Sequence, residues 1–225
     1  RSGFKVDAER VEIVNLLLDA KANVTAATSA GETALHGAAQ NGYPEVVQRL
    51  IDAKADVNLG SSTTRATAVL RASERNHADI LKMLVNAKAN VNLACGNGWS
   101  PLMAAASTGL VDVLQCLLAS KADVKKTKTE GATSLLKAAK NGHYEACVLL
   151  LQAKSNPNRA RKDGFSPLLF AAQYGQEDIV ELLLQFKASV NRAAGNQVEP
   201  LYLAAKRGYV NIVTILLAAK ANARS

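Results

Sequence analysis

A lysine returns along this chain at an almost fixed interval: Lys21, Lys54, Lys88, Lys121, Lys154, Lys187 and Lys220. The steps are 33, 34, 33, 33, 33 and 33 residues. A period of this length is the mark of supersecondary units stacked one on the next, a solenoid rather than one globular core. A single unit buries too little apolar surface to stand alone, so its stability must come from its neighbours. The column also explains the charge. It supplies seven positive charges against a formal net of +8, so the basicity belongs to the repeat rather than to a dedicated nucleic-acid patch.

One repeat shows the local logic. From Gly31 the chain reads Gly31-Glu32-Thr33-Ala34-Leu35-His36, passes Ala38-Ala39 and breaks at Asn41-Gly42. Thr33 suits a helix N-cap, the alanine-rich stretch favours a short helix, and Gly42 suits the left-handed residue that ends it. Gly109, Gly142, Gly175 and Gly208 fall at the same place, and Asn76 takes it in the third repeat. Asn is the next best residue for that conformation. A second helix follows, with Val46, Val47, Leu50 and Ile51 on one face at helical period. The paired alanines let first helices approach closely.

Gly31-x-Thr33-x-Leu35-His36, Gly164-Phe165-Ser166-Pro167-Leu168, the Ala-Ala pairs and the ends Asp56-Val57-Asn58 and Asn90-Val91-Asn92 together resemble the ankyrin-repeat family. The resemblance covers essentially the whole chain. It implies an all-α ankyrin-repeat solenoid of stacked antiparallel helix pairs joined by hairpin-like fingers, with a concave finger and first-helix face that binds another protein. The expected division is one solenoid over 1–225, with a partial first repeat at 1–25 and full repeats at 26–58, 59–92, 93–125, 126–158, 159–191 and 192–225. The chain opens without Met on half a repeat, has an Arg-Ser pair at each end, and ends without a clear polar cap. The missing Met, the half repeat and the uncapped end read as a segment of a longer array, and the Arg-Ser pairs as cloning residue.

The chain departs from the family in two places. The lysine column stands where ankyrin repeats carry Gly, so each lysine is expected in the left-handed conformation, at roughly 1–2 kcal/mol of strain. Its charge at the negative end of a helix returns roughly 0.3–1 kcal/mol. The third repeat carries one inserted residue within Gly60-Ser61-Ser62-Thr63-Thr64, with Arg65 and Leu70 in place of the finger Gly and the usual His.

No catalytic, cofactor or metal constellation is present: there is no P-loop, no HExxH, no paired-cysteine zinc spacing and no dinucleotide fingerprint. His36, His77 and His143 are read as structural. Cys95, Cys116 and Cys147 form an odd set without CxxC spacing and read as free thiols in a reducing, intracellular and most simply cytoplasmic setting. No apolar run is long enough to cross a membrane.

Binding must therefore reside in what varies between repeats. Trp99 and Phe165 stand at finger tips, just before the N-cap position, and Phe170 and Tyr174 lie on the adjoining first helix. Arg71, Arg75, Lys137, Lys140, Lys206 and Arg207 fall on the same inner face, with Lys162 beside them and Glu32, Glu74, Glu130 and Asp163 interspersed. Aromatics with basic neighbours are typical interface anchors. The expected partner is a protein or peptide with acidic and apolar residues, bound by a monomeric, non-enzymatic scaffold. The other readings are a regulatory segment of a larger enzyme, channel or bacterial effector, an engineered binder, and a nucleic-acid module. The interspersed acids weigh against nucleic acid.

Overall fold

The computed structural model describes residues 2–223, apart from the side chains of residues 2–7 and 196. Arg1, Arg224 and Ser225, and with them part of the N-terminal Arg-Ser pair and all of the C-terminal one, lie outside the described residues. The helices are α1 (Ser2–Asp19), α2 (Ala34–Asn41), α3 (Pro44–Asp52), α4 (Ala68–Glu74), α5 (Ala78–Asn86), α6 (Pro101–Thr108), α7 (Val111–Ala119), α8 (Ser134–Asn141), α9 (Tyr144–Gln152), α10 (Pro167–Gln173), α11 (Glu177–Gln185), α12 (Pro200–Arg207) and α13 (Val210–Ala218). Two isolated bridges, Ala27 with Thr33 and Ala194 with Val198, are the β pairings among the described residues. The chain is an all-α array of helix pairs.

Thr and Ser caps and left-handed stops bound most of the described first helices, while α12 starts after Glu199 without a side-chain cap. The Thr33 N–H donates to His36 Nδ1 at 3.1 Å, forming a capping box. The hydroxyls of Thr67, Thr133 and Ser166 accept from the N–H groups of Leu70, Leu136 and Leu169. Each cap satisfies a backbone donor that a helix leaves open at its start. The helices end on left-handed residues, Gly42, Gly142 and Gly208, with Asn76 at φ 62° in the third repeat. The histidines are braces. His36 Nε2 lies 3.0 Å from the Ala66 carbonyl, at the end of the next finger. His143 Nε2 lies 3.0 Å from the Ser107 carbonyl of the preceding repeat.

The chain divides into two compact bodies, one running to Pro101 and including Gln115–Ala122, the other made of Leu102–Leu114 and the chain from Asp123 onward. In the first body α2 stacks on α4, and α3 lies between α1 and α5. Its core includes Leu35, Val47, Leu50, Val69, Leu70, Ile80 and Leu84. In the second, α8, α10 and α12 stack in succession, as do α9, α11 and α13. Leu135, Leu136, Leu150, Leu169, Val180 and Leu183 are buried there, beside the alanine pairs Ala138/Ala139 and Ala171/Ala172. First helices thus pack on first helices and second on second. The first repeat contributes only α1, whose Ile13, Leu16 and Leu17 stay exposed.

The fingers close as hairpins, and within each body neighbouring fingers are hydrogen-bonded to one another. The Arg161 N–H donates to the Phe165 carbonyl at 2.9 Å, and the Lys128 N–H to the Ala132 carbonyl at 2.9 Å. Between fingers, the Lys162 N–H donates to the Glu130 carbonyl and the Gly195 N–H to the Asp163 carbonyl. This ladder fixes where residues just before each N-cap project.

All seven column lysines have positive φ, from 58° at Lys21 to 67° at Lys88 and Lys220. The N–H of Lys54 donates to the Ile51 carbonyl and that of Ala55 to the Leu50 carbonyl, both at 2.9 Å. The same pair recurs in every repeat, as at Lys88 and Ala89 or Lys187 and Ala188. This is the Schellman closure of a helix C-terminus, which usually takes Gly at the left-handed place. Lys88→Gly therefore keeps the unfolding midpoint unchanged or raises stability by up to about 1 kcal/mol, as strain relief outweighs the lost dipole contact. Urea titration followed by circular dichroism measures it. A clear fall would mean that the lysine side chain contributes more than its backbone costs.

Candidate partner-binding face

The richest side-chain cluster outside the core spans α8, α10 and the finger Arg161–Phe165, all in the second body. Lys137 and Lys140 lie three residues apart on α8, and Phe170 and Tyr174 four apart at α10, so each pair shares one helix face. The Phe170 and Tyr174 rings are stacked, with centroids 6.2 Å apart. Phe165 tilts onto Phe170 at 5.0 Å. Lys140 Nζ lies 5.6 Å from the Phe170 centroid and 5.9 Å from that of Tyr174. The Arg161 guanidinium lies 5.6 Å from the Phe170 centroid. Cations at such distances are held by the ring quadrupoles.

Burial sorts the aromatic residues. Tyr174 is 45% exposed. Phe170, expected to contact a partner, is only 5% exposed and packs with Ala132 and Leu136. Its ring is a floor beneath the charges, because the flanking fingers close over this column of the first helix. Phe165 is half-buried and joins two apolar clusters, that of Ala132, Leu136 and Phe170 and that of Leu169, Ala194 and Leu203. It binds the finger to both neighbouring repeats.

The electrostatics are unbalanced. Lys128, Lys137, Lys140, Arg161 and Lys162 accompany two carboxylates, Glu130 and Asp163. Asp163 is engaged by Arg161, whose Nε donates at 3.0 Å to Oδ1. This bond is the main cause that holds Asp163 below the usual carboxylate range and Arg161 above its ordinary value. Glu130 is 3.9 Å from Arg161 and 4.0 Å from Lys128. Burial first, then the charges of Lys128, Lys140 and Arg161, push Lys137 below the ordinary lysine range, with Glu130 opposing.

The other expected contact residues lie elsewhere. Lys206 and Arg207 are exposed at the end of α12, and Lys206 Nζ lies 5.7 Å from the ring of Tyr202, itself 51% exposed. In the first body Arg71 is clamped between Glu32 and Glu74, the latter at 3.5 Å, which leaves its charge matched within the fold. Arg75 is exposed just past α4. Trp99 is half-buried in a finger closed by the Cys95 N–H donating to its carbonyl at 3.0 Å. Two residues escaped the sequence reading. Arg161, unlike its exposed neighbour Lys162, reaches the aromatic cluster; it shares a finger position with Lys128, and that column repeat was the available signal. Tyr202 had no such signal beyond its place on a first helix.

Among the described residues no three His, Cys, Asp or Glu side chains gather to hold a metal ion, and no helix is long and apolar enough to cross a membrane. Burial pushes the Cys147 thiol up to about 12 and also raises that of Cys116. Neither is a ready nucleophile.

Helix pairs stacked through capped first helices and hydrogen-bonded fingers define a helical-repeat protein. The family profile described as Ankyrin repeats (3 copies) matches residues 6–61, 60–129 and 135–225. The chain belongs to the ankyrin-repeat family. Its fold is similar to the crystal structure of an ankyrin repeat domain from Acinetobacter baumannii AYE, with a TM-score of 0.79 and 33% identity, covering 84% of this chain and 98% of that one. A stretch of 49 residues, 22% of the chain, is 53% identical to human Ankyrin repeat and KH domain-containing protein 1, and the match spans 2% of that protein's length. Ankyrin repeats are generally protein–protein interaction modules, and their fold is typically non-catalytic.

Proposed function

We propose that this chain is a non-enzymatic scaffold that binds a partner protein or peptide on the finger and first-helix face of its fifth and sixth repeats. The observation that carries the reading is Lys140, whose ammonium lies within 6 Å of two aromatic rings in a cluster of five cations and two carboxylates. Such a surface complements a segment that offers carboxylates around an apolar residue: the charges steer and orient it, and the exposed edge of Tyr174 supplies apolar contact. Arg71 and Phe170 have roles inside the fold and are not counted among the contacts. Trp99, Arg75, Lys206 and Arg207 are secondary candidates on the same reading. An intracellular setting belongs to the proposal, supported by three cysteines that are all free thiols.

The test is selection from a displayed peptide library, followed by affinity measurement of the enriched peptides. Acidic sequences with an apolar centre are expected, binding less tightly as salt rises. Tyr174→Ala and Lys140→Glu each weaken them by roughly tenfold or more, since an interface anchor contributes more than about 1–2 kcal/mol. Phe165→Ala is a poorer probe, because that ring also joins two core clusters. Enriched peptides that bind the native chain and both variants equally would sink this site.

A further inference from the structure

Between repeats, a column of asparagines four residues beyond the column lysine acts as a set of rungs. Asn158 donates its side-chain amide to the Lys187 carbonyl at 3.1 Å and accepts from the Ser189 N–H at 2.7 Å. Asn191 does the same with Lys220 and Asn222, at 3.3 and 2.9 Å. Asn58 accepts from the Asn90 N–H, and Asn92 donates to the Lys121 carbonyl. In the fourth repeat this position is Lys125. A lysine cannot accept a hydrogen bond, so the Asn156 N–H, the counterpart of those of Asn90, Ser189 and Asn222, lacks the side-chain oxygen its counterparts receive.

A second departure occurs at the same junction. The residue after each column lysine is Ala22, Ala55, Ala89, Ala122, Ala188 or Ala221, and in the fifth repeat alone it is Ser155. Ser155 is 6% exposed, and its hydroxyl has no hydrogen-bond partner in the protein. A buried hydroxyl without a partner is costly, and such exceptions in a folded protein call for a reason. Ser155 lines a cavity of about 300 Å³ together with Asn156, Lys125, Lys154 and Arg159, and no carboxylate lines it. One place in the stack thus combines a missing acceptor, a surplus buried donor, three cations and room for a small ligand.

We propose that this cavity binds a phosphate-type oxyanion, either the free ion or the phosphomonoester of a small metabolite. The oxyanion would accept from the Asn156 N–H, in the role that an asparagine oxygen fills at the other rungs, and from the Ser155 hydroxyl. Lys125, Lys154 and Arg159 match its double negative charge, and charge-assisted hydrogen bonds of this kind are the strong ones. The volume lies at the small end of ligand pockets, which suits a compact ligand rather than a nucleotide. A ligand here would tie the fourth and fifth repeats together and so stabilise the stack. The inference stands apart from the peptide-binding face, because it uses none of that face's residues.

The experiment is a titration of the full 225-residue chain with inorganic phosphate at constant ionic strength, followed by amide NMR shifts and by thermal denaturation. Glycerol phosphate is titrated in a second arm. The native chain should show saturable shifts around Ser155 and Asn156 and a phosphate-dependent rise in Tm. Lys125→Asn, which rebuilds the rung, should weaken binding by roughly tenfold or more while raising Tm without phosphate. Ser155→Ala, which installs the residue of the other repeats, should weaken it less. Both variants replace an exceptional residue with the array's common one, so misfolding does not confuse the reading. Lys140→Glu should leave phosphate affinity unchanged. Tighter binding of glycerol phosphate assigns the site to an ester, and equal binding assigns it to the free ion. A rise in Tm that is the same for the native chain and both variants is the general stabilisation that excluded salts give, and it would overturn the proposal. So would the absence of saturable shifts.

Discussion

Leu150→Ala lowers stability by about 3–5 kcal/mol. Leu150 is fully buried on α9, and α9 packs both on α8 and on α11. Truncation opens a cavity that the rigid helix pairs close only in part. In a repeat array the loss also weakens the interfaces between neighbours, since stability there is a sum of unit and nearest-neighbour contributions. Leu17 holds the same position relative to its column lysine, yet it is 54% exposed on α1. Leu17→Ala should change stability by less than about 0.5 kcal/mol, as substitutions at open surfaces do. Denaturant titrations of the two variants give a direct comparison. A loss at Leu150 below about 1 kcal/mol would show that the core there relaxes more than close packing allows.

Gly164→Ala is expected to cost about 2–4 kcal/mol and to weaken the binding of a peptide partner at the same time. Gly164 has φ 86°, and a Cβ there would lie 2.9 Å from the Ala194 Cα and 3.2 Å from the Gly195 nitrogen. Both are backbone atoms of the next finger, which is tied to this one by the Gly195 N–H donating to the Asp163 carbonyl. Left-handed geometry alone does not forbid a side chain at this place in a finger. Arg65 and Gln197 hold it with φ of 61° and 60°. The close approach of the next finger is what makes a side chain costly at Gly164, as it also does at Gly31, where a Cβ would meet the Ser62 nitrogen. Movement of the finger shifts Arg161 and Phe165, so a thermal melt and a peptide affinity should fall together. A variant with native stability would show that the neighbouring finger gives way freely.

Most of the frame is legible in the residues because it rests on local rules. Left-handed closure by Lys, Asn76 and Gly, helix starts at Thr33 and Ser166, and the apolar faces of second helices each follow from short-range chemistry. The binding face is legible only in part, since it depends on what the neighbouring repeat covers. Phe170 reads as an anchor in one dimension and becomes a floor once the fingers of the fifth and sixth repeats close over it. Arg71 reads as a free cation until Glu32, 39 residues away, reaches it. Arg161 was obscured by its neighbours Lys162 and Asp163, and which of three adjacent finger residues turns inward is set by the hairpin. Ser155 and Lys125 are visible as exceptions only when the columns are compared, and their shared cavity is visible only in three dimensions.

The lysine column has one more consequence. Every one of these residues is exposed at the end of a second helix, so a lysine-directed protease meets an equivalent cutting site in every repeat, in addition to those at other exposed lysines such as Lys82, Lys125, Lys162 and Lys206. Cleavage requires the local backbone to open, and segments of a folded chain open with unequal free energies. Fragment masses then index position along the array like marks on a ruler. The order in which they accumulate reads out which repeat loosens first, without any engineered probe.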